Sequence, residues 1–117
     1  KKNINILIIG ISYKKNIDDD RESPAFEIMK ILLKNKINFE YSDPFFKKIR
    51  KGRNINIKKK SVKINQKTLK KFSAALIVAD HDQFDYNFIS KNSKIVFDSR
   101  NIYKNKKYNK CKNIIFV

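Results

Sequence analysis

Glycine, cysteine and tryptophan are nearly or wholly missing from this sequence. Its 117 residues include only two glycines, Gly10 and Gly52, and no tryptophan. Two isolated glycines cannot build a glycine-rich phosphate cradle, which excludes both a Walker loop and the GxGxxG dinucleotide fingerprint. The single cysteine, Cys111, excludes internal disulfides and a cysteine metal cluster, and suits a reducing compartment such as the cytoplasm. No apolar run approaches the ~20 residues of a membrane span. The amino terminus carries two lysines but only a short apolar stretch and no small-residue cleavage site, so it does not read as a signal peptide. Arginine is scarce too: Arg21, Arg50, Arg53 and Arg100 are the only four among 28 basic residues. A net charge of +17 invites a nucleic-acid reading, but bidentate recognition of bases and phosphates favours arginine. Lysine, isoleucine and asparagine all have AT-rich codons, and their joint abundance explains the charge without any polyanion. The densest basic stretch, Lys47 to Lys60, reads as a solvated connection.

What is present suits one globular domain over residues 1–117, with 41% hydrophobic and 12% aromatic residues. The chain begins Lys1-Lys2 directly ahead of an apolar run, with no initiator Met, which suggests a piece of something longer. Ile4 to Ile9 fits a strand buried on both faces. Ser23-Pro24 is a helix start, with Ser23 as cap and Pro24 at the first helical position. Glu22 and Glu27 lie at the positive end of that helix dipole. Ala25, Ile28, Met29 and Leu32 form its apolar face, and Asn35 to Asn38 ends it. Phe39 to Ser42 reads as a second strand stopped by Asp43-Pro44. Beyond it come a short edge strand at Val62 to Ile64, a helix at Gln66 to Phe72 and a buried strand at Ala74 to Ala79. A helix at Gln83 to Ser90 is expected to turn Phe84, Phe88 and Ile89 inward. Strands at Lys94 to Phe97 and Ile114 to Val117 complete the pattern. This alternation predicts an α/β, Rossmann-like three-layer sandwich around a mainly parallel sheet of five to six strands.

Between the first strand and the first helix lie about thirteen charged or polar residues, where such connections usually run roughly two to six. In parallel sheets a ligand most often accounts for such a loop, because ligands bind beyond the carboxyl ends of the strands. Gly10 to Ser23, Asp80-His81 and Asp98 to Asn101 all fall on that rim. Gly10 permits a sharp turn. Lys14 offers a compact positive charge for a phosphate or a developing oxyanion. Arg21 and Arg100 offer planar forks for phosphate or carboxylate oxygens. Tyr13 can stack on a ring or pack on the sheet. Asp18 to Asp20 read as a solvated counterweight to the lysines. His81, between a strand and a helix, suits a cap or a catalytic base. Cys111 lies among lysines without a base nearby in sequence and reads as a structural thiol.

Taken in order, these segments resemble the carboxyl-terminal domain of the nucleotide-sugar dehydrogenases, the UDP-glucose and GDP-mannose 6-dehydrogenases and their relatives. The resemblance rests on Gly10-Ile11-Ser12-Tyr13-Lys14, Asp19 to Ala25, Tyr41-Ser42-Asp43-Pro44, Ala74 to His81, Phe84-Asp85-Tyr86 and Asp98-Ser99-Arg100-Asn101. It covers roughly residues 4 to 103, and its RESPA and DHDQFDY forms look most like the branch acting on UDP-N-acetylglucosamine or similar sugars. The resemblance implies a UDP-sugar-binding domain working with an NAD-binding domain and a helical middle domain, as a homo-oligomer, without nucleic-acid or membrane partners. It implies that Tyr13 and Lys14 contact the nucleotide sugar, that Arg100 lies near it and that Arg21 reaches across to NAD. The implied reaction oxidises the sugar's C6 alcohol to a carboxylate, using NAD and a cysteine of the middle domain. That cysteine's motif and the NAD fingerprint are both absent here, so this chain alone is expected to be inactive.

Two other readings are weaker. A receiver-like or flavodoxin-like domain needs an acidic pair directly after the first strand and a lysine after the fifth, whereas Asp18 to Asp20 lie deep in their loop. A basic nucleic-acid-binding module lacks arginine clusters and aromatic-spaced strands.

Overall fold

The computed structural model of the chain describes residues 4–11, 24–47, 59–109 and 111–117. Five strands run parallel in one sheet: β1 (Asn5–Ile9), β2 (Asn38–Ser42), β3 (Ala74–Ile77), β4 (Val96–Asp98) and β5 (Ile114–Phe116). Their order across the sheet is β2-β1-β3-β4-β5. The chain therefore steps from β1 to one side, then crosses back to the other, and the reversal lies between β1 and β3. In doubly wound sheets the crevice at such a reversal, outside the carboxyl ends of the strands, is where ligands bind.

The alternation along β1 sorts the core into two layers. Leu7 and Ile9 face one side with Ala75, Ile77 and Val96. There they meet Leu69, from α2 (Gln66–Lys71), and Tyr86 and Ile89, from α3 (Tyr86–Asn92). Ile8 faces the other side and meets Ala25, Phe26 and Met29, from α1 (Pro24–Lys34). Helices thus cover both faces, the three-layer arrangement expected from the sequence. Each large side chain buried this way contributes about 1.5–3 kcal/mol. α1 begins at Pro24, as expected, and ends in a Schellman turn with Lys36 in the left-handed region (φ 58°) and the Ile37 amide donating to the Leu32 carbonyl. The expected cap Ser23 lies outside the described residues.

Several boundaries differ from expectation for local reasons. Val62 to Ile64 forms no strand; Ser61 makes a single parallel bridge to Tyr41, and the Val62 amide donates to the Tyr41 carbonyl. Val62 and Ile64 pack instead beneath α2 and α3. The third helix starts at Tyr86 because the Asp85 carboxylate caps it, accepting from the Phe88 amide. That start puts Tyr86, Ile89 and Ser90 on the buried face, and Phe88 points outward at 36% exposure. A short 3-10 turn at Ile102–Lys104, not expected from the sequence, buries Ile102 and Tyr103.

Gly10 closes β1 with φ 87°, and its amide donates to the Ser42 carbonyl. A Cβ at this position would stand 2.8 Å from the Ala79 Cβ. Gly10→Ala therefore meets both a left-handed backbone and a clash, and should destabilise the chain by about 2–4 kcal/mol in urea unfolding. Adding Ala79→Gly removes the shortest contact but leaves the Ala79 carbonyl oxygen at 3.0 Å and the backbone strain, so the double variant should recover only part of the loss.

Candidate functional site

Two buried carboxylates organise the carboxyl-end rim. Asp43, directly after β2, accepts from the Ile11 amide at 2.7 Å through Oδ2, and from the Phe45 and Phe46 amides at 2.7 and 3.1 Å through Oδ1. Asp98, the last residue of β4, accepts from the Arg100 and Ile102 amides at 3.0 and 3.1 Å through Oδ1, and from the Tyr103 amide at 3.0 Å through Oδ2. Both side chains are essentially inaccessible to solvent. Burying a carboxylate is costly unless its lone pairs are filled, and three charge-assisted bonds to each offset that cost. Ser99 adds a 2.6 Å bond from its hydroxyl to the Ile77 carbonyl, and Asn101 turns the chain in the left-handed region (φ 56°).

Between these anchors lies an aromatic wall. His81 is wholly buried, with its ring against Phe45 and Phe84 and its Nε2 3.7 Å from Asp43 Oδ2. Its backbone amide donates to the Tyr86 hydroxyl at 2.8 Å, and that hydroxyl donates to Asp80 Oδ1 at 3.2 Å. The Tyr103 hydroxyl donates to the Tyr86 carbonyl, and Tyr108 packs edge-on against both rings. Burial pushes the phenol of Tyr41 up to about 12, helped by the negative charge of Asp43, with a hydrogen bond at the Ser61 backbone pulling the other way. Tyr86 and Tyr103 are likewise raised, chiefly by burial.

Of the residues singled out in the sequence, Arg100 stands exposed on the rim, its backbone fixed by Asp98 and its guanidinium toward solvent. Tyr13, Lys14 and Arg21 lie outside the described residues, as do Asp18 to Asp20. Gly10 has the turning role expected of it. His81 is wholly buried, and the cap of the helix that follows it is Asp85. Cys111 sits in the β4–β5 connection, its thiol 3.6 Å from the Ser90 hydroxyl. In the sequence Asp43 stands out as part of a chain-stopping Asp-Pro pair and of the Tyr41-Ser42-Asp43-Pro44 motif, with no site role attached. Its signal was position: an acidic residue directly after a buried parallel strand, comparable to Asp98 at the end of β4. Among the described residues no three His, Cys, Asp or Glu side chains converge as a metal site, and no helix is long and apolar enough to cross a membrane.

The first two amides beyond β1 bear directly on what can bind here. In a dinucleotide-binding turn such amides face a pyrophosphate. Here Gly10 donates to Ser42 and Ile11 to Asp43, and Ala79 fills the space beside Gly10. Both amides are therefore already engaged within the protein. The model of the UDP-glucose/GDP-mannose dehydrogenase family, UDP binding domain, matches residues 7–105. This chain belongs to that family.

Within the family, a UDP-glucose 6-dehydrogenase of Rickettsia felis is 46% identical over 43 residues, 37% of this chain and 10% of that protein. A UDP-N-acetyl-D-mannosamine dehydrogenase of Methanococcus aeolicus is 29% identical over 108 residues, 85% of this chain and 22% of that protein. Among solved structures, the UDP-D-ManNAc dehydrogenase of Pyrococcus horikoshii superposes over 97% of this chain with a TM-score of 0.65 and 26% identity. The UDP-N-acetyl-mannosamine dehydrogenase Cap5O of Staphylococcus aureus shares the fold, with a TM-score of 0.62. The chain spans about a quarter of the length of each of these two structures (25% of both).

The raised tyrosines give this UDP-binding domain a defined alkaline weakness. Tyr41 holds its proton up to about pH 12, whereas an unfolded tyrosine loses it near pH 10. Its stabilisation is therefore complete below pH 10 and is lost as pH rises through 12, at about 1.4 kcal/mol per pH unit. Tyr86 and Tyr103 act in the same direction. Urea unfolding between pH 8 and 11 should show stability falling steeply above pH 10, and Tyr41→Phe should make that fall shallower. Identical slopes for the two proteins would contradict the assignment.

Proposed function

We propose that residues 1–117 form the substrate-nucleotide-binding domain of an NAD-dependent nucleotide-sugar 6-dehydrogenase, which oxidises the C6 alcohol of a UDP-sugar to a carboxylate. The observation that carries this reading is the family match over residues 7–105, on a sheet whose reversal point is edged by the matched motifs. The strand order is also that of flavodoxin-like domains, so topology alone does not separate the two readings; the family match does. The substrate is an N-acetylated UDP-sugar, UDP-N-acetylglucosamine or a close relative. The RESPA and DHDQFDY forms support this, as do relatives whose names specify an N-acetylated mannosamine.

Tyr13, Lys14 and Arg100 bind the nucleotide sugar in this proposal, and Arg21 contacts NAD. A diphosphate carries two negative charges, and a cation 4 Å away in a partly screened site attracts each by about 4 kcal/mol. With the β1 amides already bonded within the protein, side-chain cations carry the recognition. The Arg100 fork matches phosphate oxygens, and its backbone is held firm by Asp98. With no glycine-rich dinucleotide fingerprint in the sequence and the Gly10 and Ile11 amides bonded within the protein, the dinucleotide belongs mainly to another domain of the enzyme in this proposal, as does the catalytic cysteine; Cys111 lies beyond the family match. The chain alone then binds nucleotide but turns nothing over. A cytoplasmic, homo-oligomeric enzyme with no membrane or nucleic-acid partner completes the proposal.

Calorimetric titration of UDP should show saturable binding to the enzyme that carries this domain. Lys14→Ala and Arg100→Ala should each weaken it about tenfold, near 1.4 kcal/mol, and Lys14→Ala should cut turnover sharply. Lys70→Ala, on the exposed side of α2, should change neither. Salt-sensitive binding to arbitrary DNA without UDP binding would favour the nucleic-acid module instead.

A further inference from the structure

The parallel ladder between β1 and β2 ends with the Gly10 amide on the Ser42 carbonyl. The next amide, Ile11, points past the end of β2, and the Asp43 carboxylate takes the place of the missing carbonyl at 2.7 Å. The other oxygen of the same carboxylate holds the Phe45 and Phe46 amides. Asp43 is itself fixed from a third segment: the Ser61 hydroxyl accepts from the Asp43 amide at 2.9 Å and donates to its carbonyl at 3.3 Å. Because β1 lies between β2 and β3, the approach of Asp43 to His81 passes over the end of β1. The side chain is 4% exposed as part of its residue and lies beneath the surface of the rim.

Only a carboxylate satisfies this geometry. Both oxygens face amide donors, so an asparagine, whichever way its amide is turned, sets an NH2 group against either Ile11 or the Phe45-Phe46 pair. We propose that Asp43 is a positioning residue for the nucleotide sugar: it fixes Ile11, just beyond β1, against the Phe45-Phe46 turn on the rim of the crevice. The proposal rests on the UDP-binding function given above. Asp43 does not touch the ligand; it holds the rim backbone at Ile11 and Phe45-Phe46 in place, and displacements of about an ångström are enough to weaken such sites severely.

The test uses the full-length dehydrogenase that carries this domain, with UDP and NAD as probes. Asp43→Asn should raise the Kd for UDP about tenfold while the Kd for NAD stays within twofold. Hydrogen exchange in the ligand-free enzyme should show the Ile11 amide exchanging at least tenfold faster, with Ala75 in mid-sheet unchanged. Asp85→Ala, which removes a helix cap of α3, should leave UDP affinity intact and so exclude a general loss of stability as the cause. Ser61→Ala loosens the same clamp more gently and should weaken UDP about threefold; it decides the matter if Asp43→Asn does not fold. UDP affinity within twofold of wild type in the folded variants overturns the proposal, as does an equal loss of UDP and NAD affinity. Failure of the wild-type enzyme to bind UDP is seen before any substitution; it overturns the UDP-binding function and this proposal with it.

Discussion

Where a parallel strand ends, its neighbour's next amide faces nothing, and a buried amide without an acceptor costs about 1–3 kcal/mol. In this domain the Asp43 carboxylate, one residue beyond β2, meets that constraint by taking the Ile11 amide. Asp43 and Asp98, at the end of β4, each also gather amides from the turn that follows. The rim is therefore built from the same groups that finish the sheet. Remove the carboxylate and the strand end, the turn and the surface above them lose their common anchor.

The aromatic wall depends on the same arrangement. Phe45 reaches His81 because the Phe45 amide is held by Asp43, and Tyr103 reaches Tyr86 because the Tyr103 amide is held by Asp98. Tyr86 ties the two sides, bonded to the His81 amide through its hydroxyl and to the Tyr103 hydroxyl through its carbonyl. Packing and polar bonding thus reinforce one another across the reversal point of the sheet.

The strands were legible because runs such as Ile4 to Ile9 and Ala74 to Ala79 are apolar on both faces, which few structures other than a covered parallel sheet require. Pro24 announced its helix for an equally local reason. Phe88 was misplaced because its orientation depends on where Asp85 starts the helix, a shift of three residues from the expected start. The edge strand at Val62 to Ile64 did not form: pairing with β2 stops at the single bridge of Ser61 to Tyr41, and Val62 and Ile64 pack against the core cluster. Arg100 was legible as a rim cation from its place after an apolar run, but Asp43 was hidden. Its importance comes from amides on two other segments, and no local pattern reveals a contact with Ile11, thirty-two residues away.

The engagement of the Gly10 and Ile11 amides within the protein also shapes how such a domain can change over generations. A phosphate held by backbone amides is recognised by the fold itself, and point mutation scarcely alters it. A phosphate held by side chains is recognised by residues that a single base change can exchange. With these two amides already committed to closing the sheet, neither is open to an anion on this rim. In a domain built this way, ligand preference can drift under selection without any alteration of the sheet beneath.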